Sequence, residues 1–231
     1  MSARPPFAAI LFDLDGTLID SARDVTSAVN VVLHGHGLEP IDDVTGRTLM
    51  GEGGRVRMRK AFALRGHVLD DTALSAVTRE FIEAYARNPL EHTRAYHGVG
   101  EILAALSGAG ARLGVCTNKY EESARDILGR LGLMRWLADV AGADTFDVRK
   151  PHPGHLLKLL ARMGQPPGAA AMVGDSRHDV QAAKAAFLPC IAVSWGYTDT
   201  PARALGANAV IDRFSELPDA LAMLAGTAAE A

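Results

Sequence analysis

The chain is poor in cysteine: Cys116 and Cys190 are the only two among 231 residues. That excludes a disulfide framework. Each lies in an apolar strand-like run and reads as a small buried hydrophobe in a reducing, cytoplasmic protein. Charge of one sign is also scarce. The formal net charge is −3, so no global basic field exists to hold nucleic acid or an anionic membrane, and neither is expected as a partner. Long apolar runs are missing too. The run Phe7–Phe12 stops at Asp13, too short for a signal sequence or for a span of roughly 20 apolar residues. Internal repeats are absent, as are Walker, Rossmann-glycine and Gly-x-Ser-x-Gly patterns. The pairs His34/His36 and His152/His155 lack companion ligands at convincing spacing and are expected on the surface.

What is present is an ordinary globular composition, 48% hydrophobic, 22% charged and 6% aromatic, able to bury a core without disulfides or a structural metal. Six short apolar runs read as strands: Phe7–Phe12, Arg112–Cys116, Asp139–Ala143, Ala170–Val173, Cys190–Val193 and Ala209–Ile211. They are nearly all apolar rather than alternating, as parallel strands covered on both faces should be. Helical patterns lie between them, at Val99–Leu106, Glu121–Leu131, Gly154–Met163, Arg177–Ala186 and Ser215–Leu224. The alternation predicts a doubly wound, Rossmann-like α/β sheet.

From Asp20 to about Arg94 only helical periodicity remains, with no convincing strand. Val25, Ala28, Val29, Val32 and Leu33 share one face behind a capping-box-like Ser21 and Asp24. Leu74, Val77, Phe81 and Tyr85 repeat at spacings of three and four, and Glu83 with Arg87 adds an i,i+4 pair. Residues 1–18 and 95–231 are therefore expected to form the core, and residues 19–94 an inserted α-helical cap that closes over it and chooses substrates. The tail Gly226–Ala231 is expected to fray.

The chemistry concentrates at the strand ends, where open α/β sheets bind ligands. After the first run comes Asp13-Leu14-Asp15-Gly16-Thr17-Leu18. Two carboxylates one residue apart repel each other and need a cation, while Gly16 lets the chain turn and aim N–H groups at an anion. An EF-hand is excluded, because its glycine comes at the sixth position and not the fourth. Other strand ends add Thr117-Asn118-Lys119, then Lys150 in the stiff Arg149-Lys150-Pro151-His152-Pro153 loop, then Gly174-Asp175-Ser176-Arg177-His178-Asp179. Asp175 can N-cap the helix that follows. Carboxylates, a hydroxyl and an ammonium thus arrive at one edge from four separate strands.

In order and spacing these segments resemble the four motifs of the haloacid dehalogenase-like superfamily, over nearly the whole chain. Asp13 to Ser21, Gly174 to Ala186, Trp195-Gly196-Tyr197 and Ala207 to Asp212 are similar to its phosphoglycolate phosphatase branch. The resemblance implies Asp13 as nucleophile and Asp15 as general acid/base, with Thr117 and Lys150 holding the phosphoryl group and Asn118 beside it. It implies Mg²⁺ on the side chains of Asp13 and Asp175 and the carbonyl of Asp15, with Asp179 in support. All-oxygen ligands suit that ion. Two positions depart from the pattern: Phe187 stands where a helix-ending glycine is expected, and His178 where asparagine is common.

The expected activity is hydrolysis of a small phosphorylated metabolite, 2-phosphoglycolate first, by a monomer or homodimer. A phosphosugar mutase or phosphatase and a pyrophosphatase are rivals within the superfamily. A dehalogenase has no use for Asp15, and a phospho-aspartate sensor gains nothing from rapid hydrolysis. In the cap, Gly51-Glu52-Gly53-Gly54-Arg55 reads as a loop closing over substrate. Of the basic cluster Arg47, Arg55, Arg57, Arg59 and Lys60, most are expected on a solvated helix face. A substrate carboxylate is expected to meet the 47–54 stretch, with Arg47 and Gly51 as the assigned positions. Gly16 and Thr17 are assigned to the phosphate.

Overall fold

Ala9–Phe12 (β1) alternates between two apolar layers: Ile10 and Phe12 enter one core cluster, Ala9 and Leu11 the other. Burial on both faces is what made the run continuously apolar in sequence. The computed structural model describes residues 5–198 and 200–229. In it β1 lies inside a six-stranded parallel sheet of order β5-β4-β1-β6-β7-β8, with β4 Arg112–Cys116, β5 Leu137–Ala141, β6 Ala170–Gly174, β7 Cys190–Val193 and β8 Ala209–Ile211. The strand order reverses at β1, which pairs in parallel with β4 on one side and β6 on the other. Helices α5 Val99–Gly108, α6 Glu121–Arg130 and α9 Leu217–Ala229 supply apolar residues to one layer, and α7 Gly154–Arg162 and α8 Arg177–Ala185 to the other. The doubly wound expectation is met.

Between β1 and β4 the chain builds four further helices: α1 Ala22–Gly35, α2 Asp43–Thr48, α3 Gly54–Ala63 and α4 Asp71–Arg87. The apolar faces of α1, α3 and α4, including Val25, Val29, Met58, Leu74 and Phe81, belong to the same cluster as Ile10 and Phe12. The Asp42 and Asp70 side chains cap α2 and α4 by accepting from Thr45 N (2.7 Å) and Ala73 N (2.8 Å).

Four local expectations are corrected. The helical block is bracketed by a small antiparallel ribbon, β2 Ile19–Asp20 against β3 Arg94–Ala95, and two-residue strands leave no alternation to read. The capping box at Ser21 does not form. Ser21, just before α1, makes no side-chain cap bond; its hydroxyl donates to Asp15, and Asp24 instead receives the His92 and Thr93 amides. Glu83 and Arg87 form no ion pair. At the C-terminus, α9 continues through Gly226 to Ala229, so the helix runs further than the expected frayed tail allowed; residues 230 and 231 lie outside the described residues.

Candidate active site

Each predicted strand end delivers its side chain to the same edge. The Asp13 amide donates to Val173 O and the Thr117 amide to Ala141 O, both at 2.9 Å, so sheet pairing fixes the backbone up to the functional residues. Beyond Asp13 the chain makes one tight turn, with Leu18 N donating to Leu14 O and Gly16 N to Ile19 O, each at 2.9 Å. Gly16 sits at φ +85°, and a Cβ there would lie 2.5 Å from Asp175 Oδ2. Only glycine permits both the turn and the approach.

Lys150 is the hub. Its buried ammonium lies 2.9 Å from Asp13 Oδ1 and 2.6 Å from Asp179 Oδ1. Burial opposes its charge, but these two carboxylates raise its pKa above the usual lysine range. The Leu14 amide also donates to Asp13 Oδ1, at 2.7 Å. Asp13 is nevertheless pushed up to about 6, first by burial and then by the nearby Asp179 charge. Asp175 receives Thr17 Oγ1 at 3.2 Å and the Tyr197 amide at 2.9 Å. Burial and the charges of Asp179 and Asp13 raise its pKa well above the carboxylate range. Asp175 does not cap α8, as the sequence suggested. Ser176 does, with its amide (3.0 Å) and hydroxyl (2.6 Å) donating to Asp179 Oδ2, which leaves Asp175 facing the cluster.

Asp15 is held differently. Lys119 Nζ lies 2.9 and 3.0 Å from its two oxygens, and Ser21 Oγ donates at 2.5 Å. Burial works upward, but Lys119 and the Ser21 hydrogen bond outweigh it, so Asp15 is held below the usual carboxylate pKa. The Asn118 amide donates to Gly51 O (3.1 Å) and Lys150 O (3.2 Å), tying the glycine-rich loop of the helical block to the sheet edge.

A cavity of about 410 Å³ opens here, and Asp13, Asp15, Gly51, Thr117, Asn118 and Lys119 are among its lining. Lys150, Asp175 and Asp179 gather against Asp13. Gly16 and Thr17 serve the turn and Asp175 instead of lining the cavity. Arg47 lies elsewhere. It reaches Asp20 at 3.7 Å, stacks on Tyr197 and borders a separate hollow near the ribbon, because α2 packs on α1 away from the cavity.

A family model for haloacid dehalogenase-like hydrolases matches residues 10–193. The chain belongs to that family. It is 43% identical over 215 residues to a phosphoglycolate phosphatase of Rhodospirillum rubrum, covering 91% of this chain and 89% of the relative. It is 42% identical to one from Agrobacterium fabrum, covering 96% and 95%. A solved structure described as a predicted phosphoglycolate phosphatase from Haemophilus somnus superposes with a TM-score of 0.88 at 28% identity, covering 93% and 98%.

The family's metal has a fitting donor set in this member. Asp13, Asp175 and Asp179 each offer an oxygen, all within 4.8 Å of one another and all buried. Lys150 contacts two of them, and among the described residues no cation contacts Asp175. Buried carboxylates with too little positive charge and raised pKa values are what a hard divalent ion corrects.

Several residues escaped assignment from sequence. Lys119, in the Thr117-Asn118-Lys119 segment, holds Asp15, a role that its sequence setting does not signal. Arg57 was grouped with exposed basic residues, although its spacing from Gly54 and Ala61 places it on the buried face of α3. His155, expected at the surface, is buried between the Lys150 amide and Gly142 O. No helix among the described residues is long and apolar enough to cross a membrane.

Proposed function

We propose that this hydrolase is a Mg²⁺-dependent phosphatase that transfers the phosphoryl group of a small monoester, 2-phosphoglycolate, to Asp13 and then to water. The observation that carries this reading is the pairing of two differently held acids at one cavity. Asp13 is buried against Lys150, and Asp15, two residues on, is held by Lys119 and Ser21. The names of the Rhodospirillum and Agrobacterium relatives support the substrate. Residues 19–94 act as the cap.

Lys150 and Leu14 N both engage Oδ1 of Asp13, leaving Oδ2 to attack phosphorus. The Asp13–P bond forms as the ester P–O bond breaks, and Asp15 gives its proton to the departing oxygen. Asp15 rests as a carboxylate; the approaching dianion raises its proton affinity, as like charges do, and it takes up a proton from solvent as the substrate binds. In the second half Asp15 takes a proton from the water that attacks the acyl phosphate, and inorganic phosphate leaves. Lys150 and the Thr117 hydroxyl hold the phosphoryl oxygens throughout. Asp13, Asp175 and the Asp15 carbonyl, with Asp179 alongside, would hold Mg²⁺, which when bound neutralises charge on those oxygens.

The test is a panel of 2-phosphoglycolate, pyrophosphate, glucose phosphates and p-nitrophenyl phosphate with Mg²⁺. We expect 2-phosphoglycolate to give the highest kcat/KM. Asp13→Asn should abolish turnover and any beryllofluoride adduct, and Asp15→Asn should slow turnover by roughly 10²–10⁴-fold. Tenfold preference for pyrophosphate or a sugar phosphate would discard the substrate, and an active Asp13→Asn would discard the nucleophile.

A further inference from the structure

The mechanism leaves Arg57 without employment. The buried face of α3 runs Gly54, Arg57, Met58, Ala61, Phe62, so a guanidinium occupies a place that helical spacing gives to a hydrophobe. It is 6% exposed. Its Nη2 reaches only the sulfur of Met50, at 3.5 Å, its plane lies 5.4 Å from the Phe81 ring centre, and its Nε is buried without a partner. It forms no ion pair with any described residue.

The other cations of the cavity are engaged. Lys119 holds Asp15, and Arg130 meets Asp126 at 3.4 Å. A second donor is unspent: the Tyr85 hydroxyl, on α4 across the same cavity, is buried beside the Lys119 ammonium, which can only donate, so no acceptor takes its own proton. Two buried donors, one of them fully charged, facing the space beside Asp15 are costly unless an anion joins them.

We propose that Arg57 and the Tyr85 hydroxyl bind a carboxylate on the leaving group, so that the enzyme selects phosphorylated carboxylic acids over neutral esters. This rests on the phosphatase reading above and supplies the cap contact that Arg47, placed elsewhere, does not. The guanidinium fork matches a carboxylate in shape as well as charge. Phe81 and Ile82 line the same cavity and give it an apolar wall beside the guanidinium.

The experiment compares 2-phosphoglycolate with ethyl phosphate, which carries a methyl group in place of the carboxylate. Arg57→Met should lower the ratio of their kcat/KM values ten- to hundredfold, the loss expected for one buried charge-assisted contact. A fall of less than fivefold overturns the proposal, whether both substrates suffer together or neither does. Should that variant not fold, Tyr85→Phe, which removes only the hydroxyl and its unused proton, must lower the ratio at least threefold or the proposal fails. Calorimetry on Asp13→Asn adds a readout independent of turnover: 2-phosphoglycolate should bind at least tenfold tighter than ethyl phosphate, and Arg57→Met in that background should erase the difference. A wild type that hydrolyses neither ester defeats the phosphatase reading, and the calorimetric comparison still decides Arg57.

Discussion

His155, at the start of α7, accepts the Lys150 amide at Nδ1 (3.2 Å) and reaches Gly142 O from Nε2 (3.0 Å). These partners fix the tautomer: Nδ1 must accept and Nε2–H must donate. A second proton would face an N–H group. Burial first, and the Lys150 charge second, push its pKa down to about 4. An unfolded histidine titrates near 6.5. Between those values the unfolded chain binds more protons, so the histidine's contribution is complete above pH 6.5 and is lost as pH falls towards 4. Asp13, with its raised pKa, works in the opposite direction, but it is common to wild type and variant. Denaturant unfolding at pH 7 and 4.5 should therefore show a stability loss in wild type about 2–3 kcal/mol larger than in His155→Gln. Phe187 presents a simpler case. It ends α8 at φ 57° with its side chain 94% exposed, a left-handed position that costs a non-glycine residue about 1 kcal/mol. Phe187→Gly should raise Tm by about 2–4 °C with turnover unchanged, as a thermal melt beside the standard assay will show.

At the scale of elements, the junction between helical block and sheet deserves the closest reading. Asp24, on α1, accepts from His92 N (3.0 Å), Thr93 N (2.8 Å) and Thr93 Oγ1 (2.7 Å). It fastens the chain's entry into the cap to its exit, beside the β2/β3 ribbon. Asp24→Ala should strand those buried donors at a cost of about 1.5–3 kcal/mol. The expected outcome is a lower Tm and faster proteolytic cutting near residues 88–93, and neither change in the variant would show that the clamp is idle. The same junction explains what the sequence could and could not reveal. Strands such as β1 and β6 were legible because burial on both faces writes an unbroken apolar run. The acids and Lys150 were legible because strand ends deliver them. The ribbon was not, since two residues carry no period. Ser21 and Asp24 imitate a local cap, but their partners are Asp15 and residues 68 or 69 positions onward, and no local pattern encodes a contact of that range. Arg57 was concealed by its neighbours: in a run of basic residues, only the phase of the helix separates the buried one from the rest.

For the molecule as a whole, the largest unresolved charge is the carboxylate trio under Asp13. EDTA-treated protein should lose activity and regain it with Mg²⁺, and Ca²⁺ should inhibit because its looser coordination misplaces the nucleophile. Full activity in excess chelator would remove the metal from the account. Because the ion binds only the folded chain, Mg²⁺ at a hundred times its Kd should add about 2.7 kcal/mol of stability. A calorimetric scan with and without Mg²⁺ measures that, and a scan indifferent to the ion would count against the site.

Tyr197 joins these scales. Its amide holds Asp175 at 2.9 Å, while its hydroxyl receives the Ser21 amide and donates to Asp20, both at 2.7 Å. One residue therefore grips the Asp175 carboxylate with its backbone and the start of the helical block with its hydroxyl. Two positions earlier, Trp195 packs its indole 5.8 Å from Tyr96, just beyond the ribbon, and 6.1 Å from Phe214 of the core, with its N–H buried and unpartnered. The chain holds only one other tryptophan, Trp136, which sits beside β5 at the far edge of the sheet. The protein thus carries a built-in fluorophore on the short span of backbone that connects the Asp175 carboxylate and the β2/β3 ribbon. Any change in how the helical block sits against the sheet would shift its emission, with no attached dye.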